Sequence, residues 1–413
     1  VKKYLYITDT MYFPLPFYRP RLVMPAFLDD REHYLPIRVD VLMDRMVRDE
    51  RLDAAERENL VILRRLLADR FHYEYHATLE SLKRDFVPFD LDRETLAEPE
   101  YTDEQLCVIR TRLYDSIRNV LQIGNYRELS PEQLSECLEL QPIGGLSVHV
   151  DTDDFDQFHV YYRGVRQREE TERILFFWKR TRPIVSLNRV FVIARFQPEY
   201  GGRIMIKMFK DIPAENIKII APKVKLGMPI FARVKIGGSV AGSLITPLSK
   251  LIFAFTMSWI YFCIILGGLL FAAFKGMMSF LNSRTKYMQV YSSSLYYQTL
   301  SNNTAALTTL LDAAETQELK EALLGYYILY LNRDRDMSME ELDEATERWI
   351  AEQFGHNFDF EVDDAIRKLV EKNIVQVTER SSGRVVYRAG ELSTVLWQLD
   401  KDWDGFNTFP DVA

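Results

Sequence analysis

LIFAFTMSWIYFCIILGGLLFAAF, residues Leu251 to Phe274, is an uncharged apolar run of 24 residues bounded by Lys250 and Lys275. At about 1.5 Å per helical residue it exceeds a ~30 Å hydrocarbon core. Buried core helices seldom run so far with nothing more polar than Thr256 and Ser258. The run therefore predicts an integral membrane protein.

The flanks refine that expectation. Ile236–Ser249 is also uncharged and rich in small residues, with Gly238 and Gly242 at the spacing that lets membrane helices approach closely. We read it as the first arm of a transmembrane hairpin turning at Pro247 and Lys250, with a single span as the alternative. Lys223, Lys225, Arg233 and Lys235 precede the segment, and Lys275, Arg284 and Lys286 follow it. Positive residues at both ends place both ends on the cytoplasmic side. That would be the inner membrane if the source is bacterial.

Composition confines the membrane part to a small share of the 413 residues. A mean hydropathy of -0.17 excludes a polytopic protein. Cys107, Cys137 and Cys263 form no CxxC pair and no disulfide framework. The apolar stretch after Val1-Lys2-Lys3 is short and broken by Asp9, which argues against a signal peptide. The net charge of -8 is strongly partitioned: residues 1–159 carry -11, 160–235 carry +11, 236–335 carry +2 and 336–413 carry -10.

Working outward, residues 1–143 read as a helical N-terminal domain. Asp53 with Glu56 and Thr102 with Gln105 have capping-box spacing, and Ser130-Pro131-Glu132-Gln133 is a third helix start. Leu60, Leu63, Leu67, Phe71, Tyr75, Leu79, Leu82 and Phe86 form one apolar stripe that Pro88 ends. Residues 144–235 change period. Leu146–Val150, Phe158–Val165, Ile184–Arg195 and Arg203–Phe209 predict a small, basic, antiparallel β-rich domain. After the membrane segment, 236–275, a helical connector fills 276–335 with a break at Asn302-Asn303. Residues 336–413 give two helices, a hairpin around Ser381-Ser382-Gly383 and a last helix, which is an acidic winged-helix-like domain. The fold class is α+β.

Several stretches carry a family resemblance: Phe209-Lys210-Asp211-Ile212-Pro213, Lys235-Ile236-Gly237, Asn302-Asn303, Glu318-Leu319-Lys320-Glu321-Ala322-Leu323-Leu324-Gly325-Tyr326-Tyr327, Phe358-Asp359-Phe360-Glu361-Val362-Asp363-Asp364-Ala365 and Trp403-Asp404. With Glu32-His33-Tyr34-Leu35-Pro36-Ile37 near the start, the series resembles uncharacterised membrane proteins related to transmembrane protein 143. The resemblance implies a paired membrane segment between soluble domains and brings no activity with it.

Chemistry is sparse. His72, His76 and Glu80 share a helix face but lack the HExxH order of a zinc protease. Asp151-Thr152-Asp153-Asp154-Phe155-Asp156, bracketed by His149 and His159, has Phe155 and Asp156 where a calcium loop needs an oxygen ligand and glycine. Gly237–Gly242 lacks a phosphate-loop lysine, and no GxSxG occurs. The reading is of no catalytic residue, metal or cofactor. The better signal is basic and aromatic. Arg163, Arg166, Arg168, Arg173, Lys179, Arg180 and Arg182 surround Phe176-Phe177-Trp178, a composition suited to an anionic membrane surface. Phe176 and Phe177 as core beneath a solvated face is the competing reading. The expected function is a membrane-anchored, non-enzymatic scaffold or adaptor. Its basic domain would face lipid, and its winged helix would bind a protein partner or a second copy. Alternatives are an oligomeric permeation or lipid-handling protein and a membrane-tethered transcription regulator. The -10 charge of the winged-helix region argues against nucleic acid, whose affinity rests on cations.

Overall fold

The computed structural model describes residues 33–92, 99–139, 147–149, 155–175, 178–221, 225–227, 259–356, 358–360, 362–379 and 384–404. The N-terminal helices are α1 (Val39–Val47), α2 (Ala54–Phe86), α3 (Asp103–Ile123) and α4 (Pro131–Glu139). The starts of α2, α3 and α4 are the expected ones. Asp53 and Glu56 bond reciprocally across the first turn of α2, as do Thr102 and Gln105 for α3 and Ser130 and Gln133 for α4. The α2 stripe is buried from Leu60 to Phe86 except at Leu79, which is half-buried.

The sheet is antiparallel, five-stranded and ordered β1-β3-β4-β5-β7. Its strands are β1 (Arg127–Glu128), β3 (Phe155–Leu175), β4 (Trp178–Phe196), β5 (Ile204–Pro213) and β7 (Thr299–Asn302). A short pair, β2 (Ser147–His149) with β6 (Lys225–Gly227), lies apart from it. Alternation along the strands sends Tyr161, Phe191, Ile193, Ile206 and Met208 into the larger core. Val160, Tyr162, Val190, Val192 and Phe209 enter a smaller one with Cys137 of α4 and with Ile217 and Ile220 of α5 (Ile217–Ile220). Both faces are covered, which explains why residues 190–194 of β4 are buried without a break.

Between β5 and β7 the chain makes a long excursion whose described second half is α6 (Trp259–Gln298). The excursion returns to the strand it left: Lys207 faces Asn302, Met208 faces Ser301 and Phe209 faces Thr299. At the return, Asn303 takes φ 48°, a left-handed conformation that asparagine tolerates, and opens α7 (Asn303–Leu331). Its side chain accepts from the Ile206 N–H at 3.3 Å and donates to Asp92 at 2.6 Å, fixing β7 and α7 to β5.

Helix α7 is the axis of the molecule, with every residue from Gln317 to Tyr330 buried. A helix covered all round must have neighbours all round. Here they are α1, α2 and α3 from the N-terminal region and α8 (Met339–Phe354) and α9 (Val362–Glu371) from the C-terminal region. The hairpin β8 (Val375–Glu379) with β9 (Val385–Ala389), and α10 (Leu392–Asp404) against α2, complete the C-terminal region. One continuous core joins residues on both sides of the excursion, from Leu35 to Leu399. The α+β class with an antiparallel sheet is therefore as expected. Among the described residues no helix is long and apolar enough to cross a membrane. The hairpin's first arm, its turn and Leu251–Ser258 lie outside the described residues. What is described of the run, Trp259–Phe274, is 16 residues, or about 24 Å of helix, short of a ~30 Å core.

Candidate membrane interface

Helix α6 meets the body near its C-terminal end, where Leu295 packs against the smaller core and Gln298 donates to the Asp211 carbonyl at 3.1 Å. Farther out several of its described apolar side chains are exposed. Trp259 is 72% exposed and Phe271 67%, and Ile260, Ile264, Leu270, Phe274, Met277, Met278 and Leu281 are exposed with them. At about 100° per residue these nine positions fall within an arc of roughly 140°. A continuous apolar face of this kind marks an interaction surface.

The second component is the ribbon formed by β3 and β4. Their pairing runs on past the sheet, from Arg166 opposite Ser186 to Leu175 opposite Trp178, while β5 stops at Pro213 opposite Ser186. The basic stretch that reads as short strands and loops is thus one long hairpin. It was missed because its alternation is charged and offers no apolar period. Gly164 sits at its base with φ +75°, and a Cβ there would lie 2.6 Å from the Asn188 amide nitrogen, so only glycine fits.

The expected basic face divides. Arg163 does not belong to it. Its side chain is buried, its guanidinium lies 4.1 Å from the Tyr34 ring centre and 4.7 Å from that of Tyr126, and it donates to the Gly124 carbonyl at 2.9 Å. It pins the N-terminal segment to the sheet. Arg166 is exposed and Arg168 half-buried. Arg173, Trp178, Lys179, Arg180 and Arg182 are placed on the outer ribbon by their register, while their side chains lie outside the described set. Gly238 and Gly242 also lie outside the described residues.

The sequence reading also passed over a buried polar layer on α7. Glu318 accepts from the Tyr75 hydroxyl and pairs with Lys368 at 3.1 Å. Glu321 accepts from Asn125 at 3.0 Å and from Gln317 at 2.7 Å. Lys320 donates to the Leu35 carbonyl and lies 4.8 Å from the Tyr34 ring centre. Burial first, then the Arg163 cation, pushes its ammonium down to about 7. The legible signal was three charges, Glu318, Lys320 and Glu321, leading directly into the apolar and aromatic run Ala322–Leu331.

The histidine pair is structural in its contacts. His72 meets Glu315 at 3.3 Å, and Glu80 accepts from Lys83 at 2.8 Å. His159 meets Glu128 at 2.7 Å, and Asp156 accepts from Arg195 at 2.6 Å. No group of three or more histidine, cysteine or acidic residues able to hold a metal occurs among the described residues.

Residues 155–305 match a protein family described as of unknown function (DUF3754). The match runs from the first residue of β3 through the ribbon, the excursion and β7 to the start of α7, so it coincides with the sheet and the segment the sheet closes. It carries no link to proteins related to transmembrane protein 143, and that resemblance rests on the motifs alone. No solved structure matches the chain.

Proposed function

We propose that this chain is a membrane-anchored, non-enzymatic scaffold whose folded body is held at one face of a bilayer by the excursion between β5 and β7. The observation that carries the reading is the exposed apolar arc of α6. Nine large side chains in water would be costly, at roughly 25 cal/mol per Å² of apolar surface. A hydrocarbon surface removes that cost. The pairing of β5 with β7 supports a hairpin or re-entrant loop over a single span. Both ends of residues 214–298 are hydrogen-bonded into one sheet, and the body before the excursion shares a core with the body after it. A chain so closed crosses a membrane an even number of times.

The winged helix supports a scaffold more than a nucleic-acid reader. The second helix, α9, which would lie in a groove, buries Val362, Ala365, Ile366 and Leu369, and its Lys368 is paired with Glu318 of α7. Its exposed positions include Asp363 and Glu371.

Carbonate extraction of membranes carrying the full chain tests the anchor. The wild type stays in the pellet. Ile264→Arg with Phe271→Arg moves a folded protein, verified by circular dichroism, into the supernatant. Release of the wild type by carbonate would contradict the reading.

A further inference from the structure

A cleft of about 220 Å³ lies where α10 packs along α2, with Glu371 and Lys372 at the end of α9 contributing to its lining. Leu66 of α2 and Leu399 of α10 give it apolar surface, and Trp403 gives it an aromatic one. The Trp403 indole meets the Tyr73 ring edge-on, with ring centres 6.0 Å apart. Trp403 nevertheless stays 43% exposed. A tryptophan left open beside a cleft offers a π face that attracts a cation.

The charges of the cleft select the same sign. Its two cations are already held: Arg70 donates to Glu74 at 2.8 Å, and Lys372 donates to the same carboxylate at 2.8 and 3.0 Å. Lys401, in the last turn of α10, lies 5.0 Å from the Trp397 ring centre. The three carboxylates that line the cleft have weaker partners. Asp69 reaches Arg65 and Glu371 reaches Arg367 only at 3.9 Å, and Asp402 accepts from the neutral Gln398 amide at 2.7 Å. Glu371 and Asp402 belong to residues 336–413, which carry a net charge of -10. An anion is repelled here, and a cation gains from the indole and the carboxylates together. Of the cationic side chains, arginine fits best: its planar guanidinium stacks on an aromatic face while its N–H fork donates to carboxylates, a geometry that a lysine ammonium does not share.

We propose that the cleft between α2, α9 and α10 is a docking site for a protein partner, which inserts an arginine so that its guanidinium lies on Trp403 and donates to the carboxylates of Asp402, Glu371 and Asp69. The partner segment is therefore basic. This rests on the scaffold reading and gives its partner a chemical class. It does not depend on the anchor, because none of the cleft's residues belongs to α6.

Fluorine NMR of the full chain in detergent micelles, labelled with 5-fluorotryptophan, tests the proposal. The Trp403 resonance is assigned by its loss in Trp403→Leu. N-acetylarginine methylamide is the probe, and the neutral citrulline counterpart is its control. The arginine probe shifts the Trp403 resonance to saturation and the citrulline compound leaves it in place. Glu371→Gln with Asp402→Asn weakens the arginine response about tenfold, as the loss of charge-assisted hydrogen bonds requires, while an unmoved resonance from the buried Trp349 reports an intact fold. No saturable shift, or an equal shift by citrulline, overturns the site. A response seen only in a chain ended at Asp404 also overturns it, because the chain's own following residues would then be the occupant. So does a fall in sedimenting mass with the Glu371→Gln and Asp402→Asn pair, which would make a second copy the source of the cation. Any of these results leaves the anchor standing, since carbonate extraction reads it separately.

Discussion

Single residues decide how the buried charges behave. Lys320 is an ordinary helix lysine in sequence, and only its setting in the fold, burial first and then the Arg163 cation, brings its ammonium near 7. Between about pH 7 and the ordinary lysine value near 10.4 the unfolded chain holds a proton that the folded chain lacks, so stability rises with pH across that window. Below it both states hold the proton and the cost is constant. Denaturant midpoints from pH 6 to 10 should show the difference between Lys320→Met and wild type falling as pH rises, and parallel curves would refute the assignment. Asp343 has the opposite sign. Burial, then Glu347, Asp359, Asp363 and Glu344, raises its carboxyl to about 6. Its folded form is favoured at low pH, and stability falls as pH climbs from about 4 to about 6. Asp343→Asn should therefore stabilise the protein at pH 7, with the gain vanishing by about pH 4. Arg163 shows why residue type misleads. It belongs to a basic cluster in sequence but stacks between Tyr34 and Tyr126, contacts set by a left-handed Asn125 after α3 that no spacing reveals.

Among the elements, those with an apolar period were legible and those with a charged or absent one were not. The caps of α2, α3, α4 and α8 and the stripe on α2 follow from local chemistry, because a hydroxyl or carboxylate reaching the third N–H is a contact within one turn. The ribbon is not legible in the sequence because charged residues stand where an apolar alternation would mark a strand, with Glu170 opposite Arg182 and Glu172 opposite Arg180. Its base supplies a direct check. Gly164→Ala combines backbone strain with a clash against Asn188, whereas Gly355, also left-handed at φ +72°, has open space where its Cβ would be. Gly164→Ala should cost about 1–3 kcal/mol more than Gly355→Ala in urea unfolding. On α7, Leu324→Ala should cost about 2–5 kcal/mol, since Leu324 has no exposed surface. A loss under 1 kcal/mol would mean that the helix is not the shared axis.

For the whole molecule, sequence order and spatial order diverge. Read linearly, the apolar run separates an N-terminal and a C-terminal half. In space α7 is gripped by α1, α2 and α3 on one side and by α8 and α9 on the other. Nothing local encodes that closure: it depends on β7, four residues pairing with β5 across some ninety positions, a contact without periodicity. The even-crossing topology that we propose rests on this pairing and is the centre of the account. Single cysteines on a cysteine-free full chain, placed at Glu58 on α2, at Lys250 and at Lys401 on α10, can be challenged with a membrane-impermeant thiol reagent in sealed, oriented vesicles. The account predicts that positions 58 and 401 label from the same side, and that position 250 either labels from the opposite side or is protected. Labelling of positions 58 and 401 from opposite sides would contradict it.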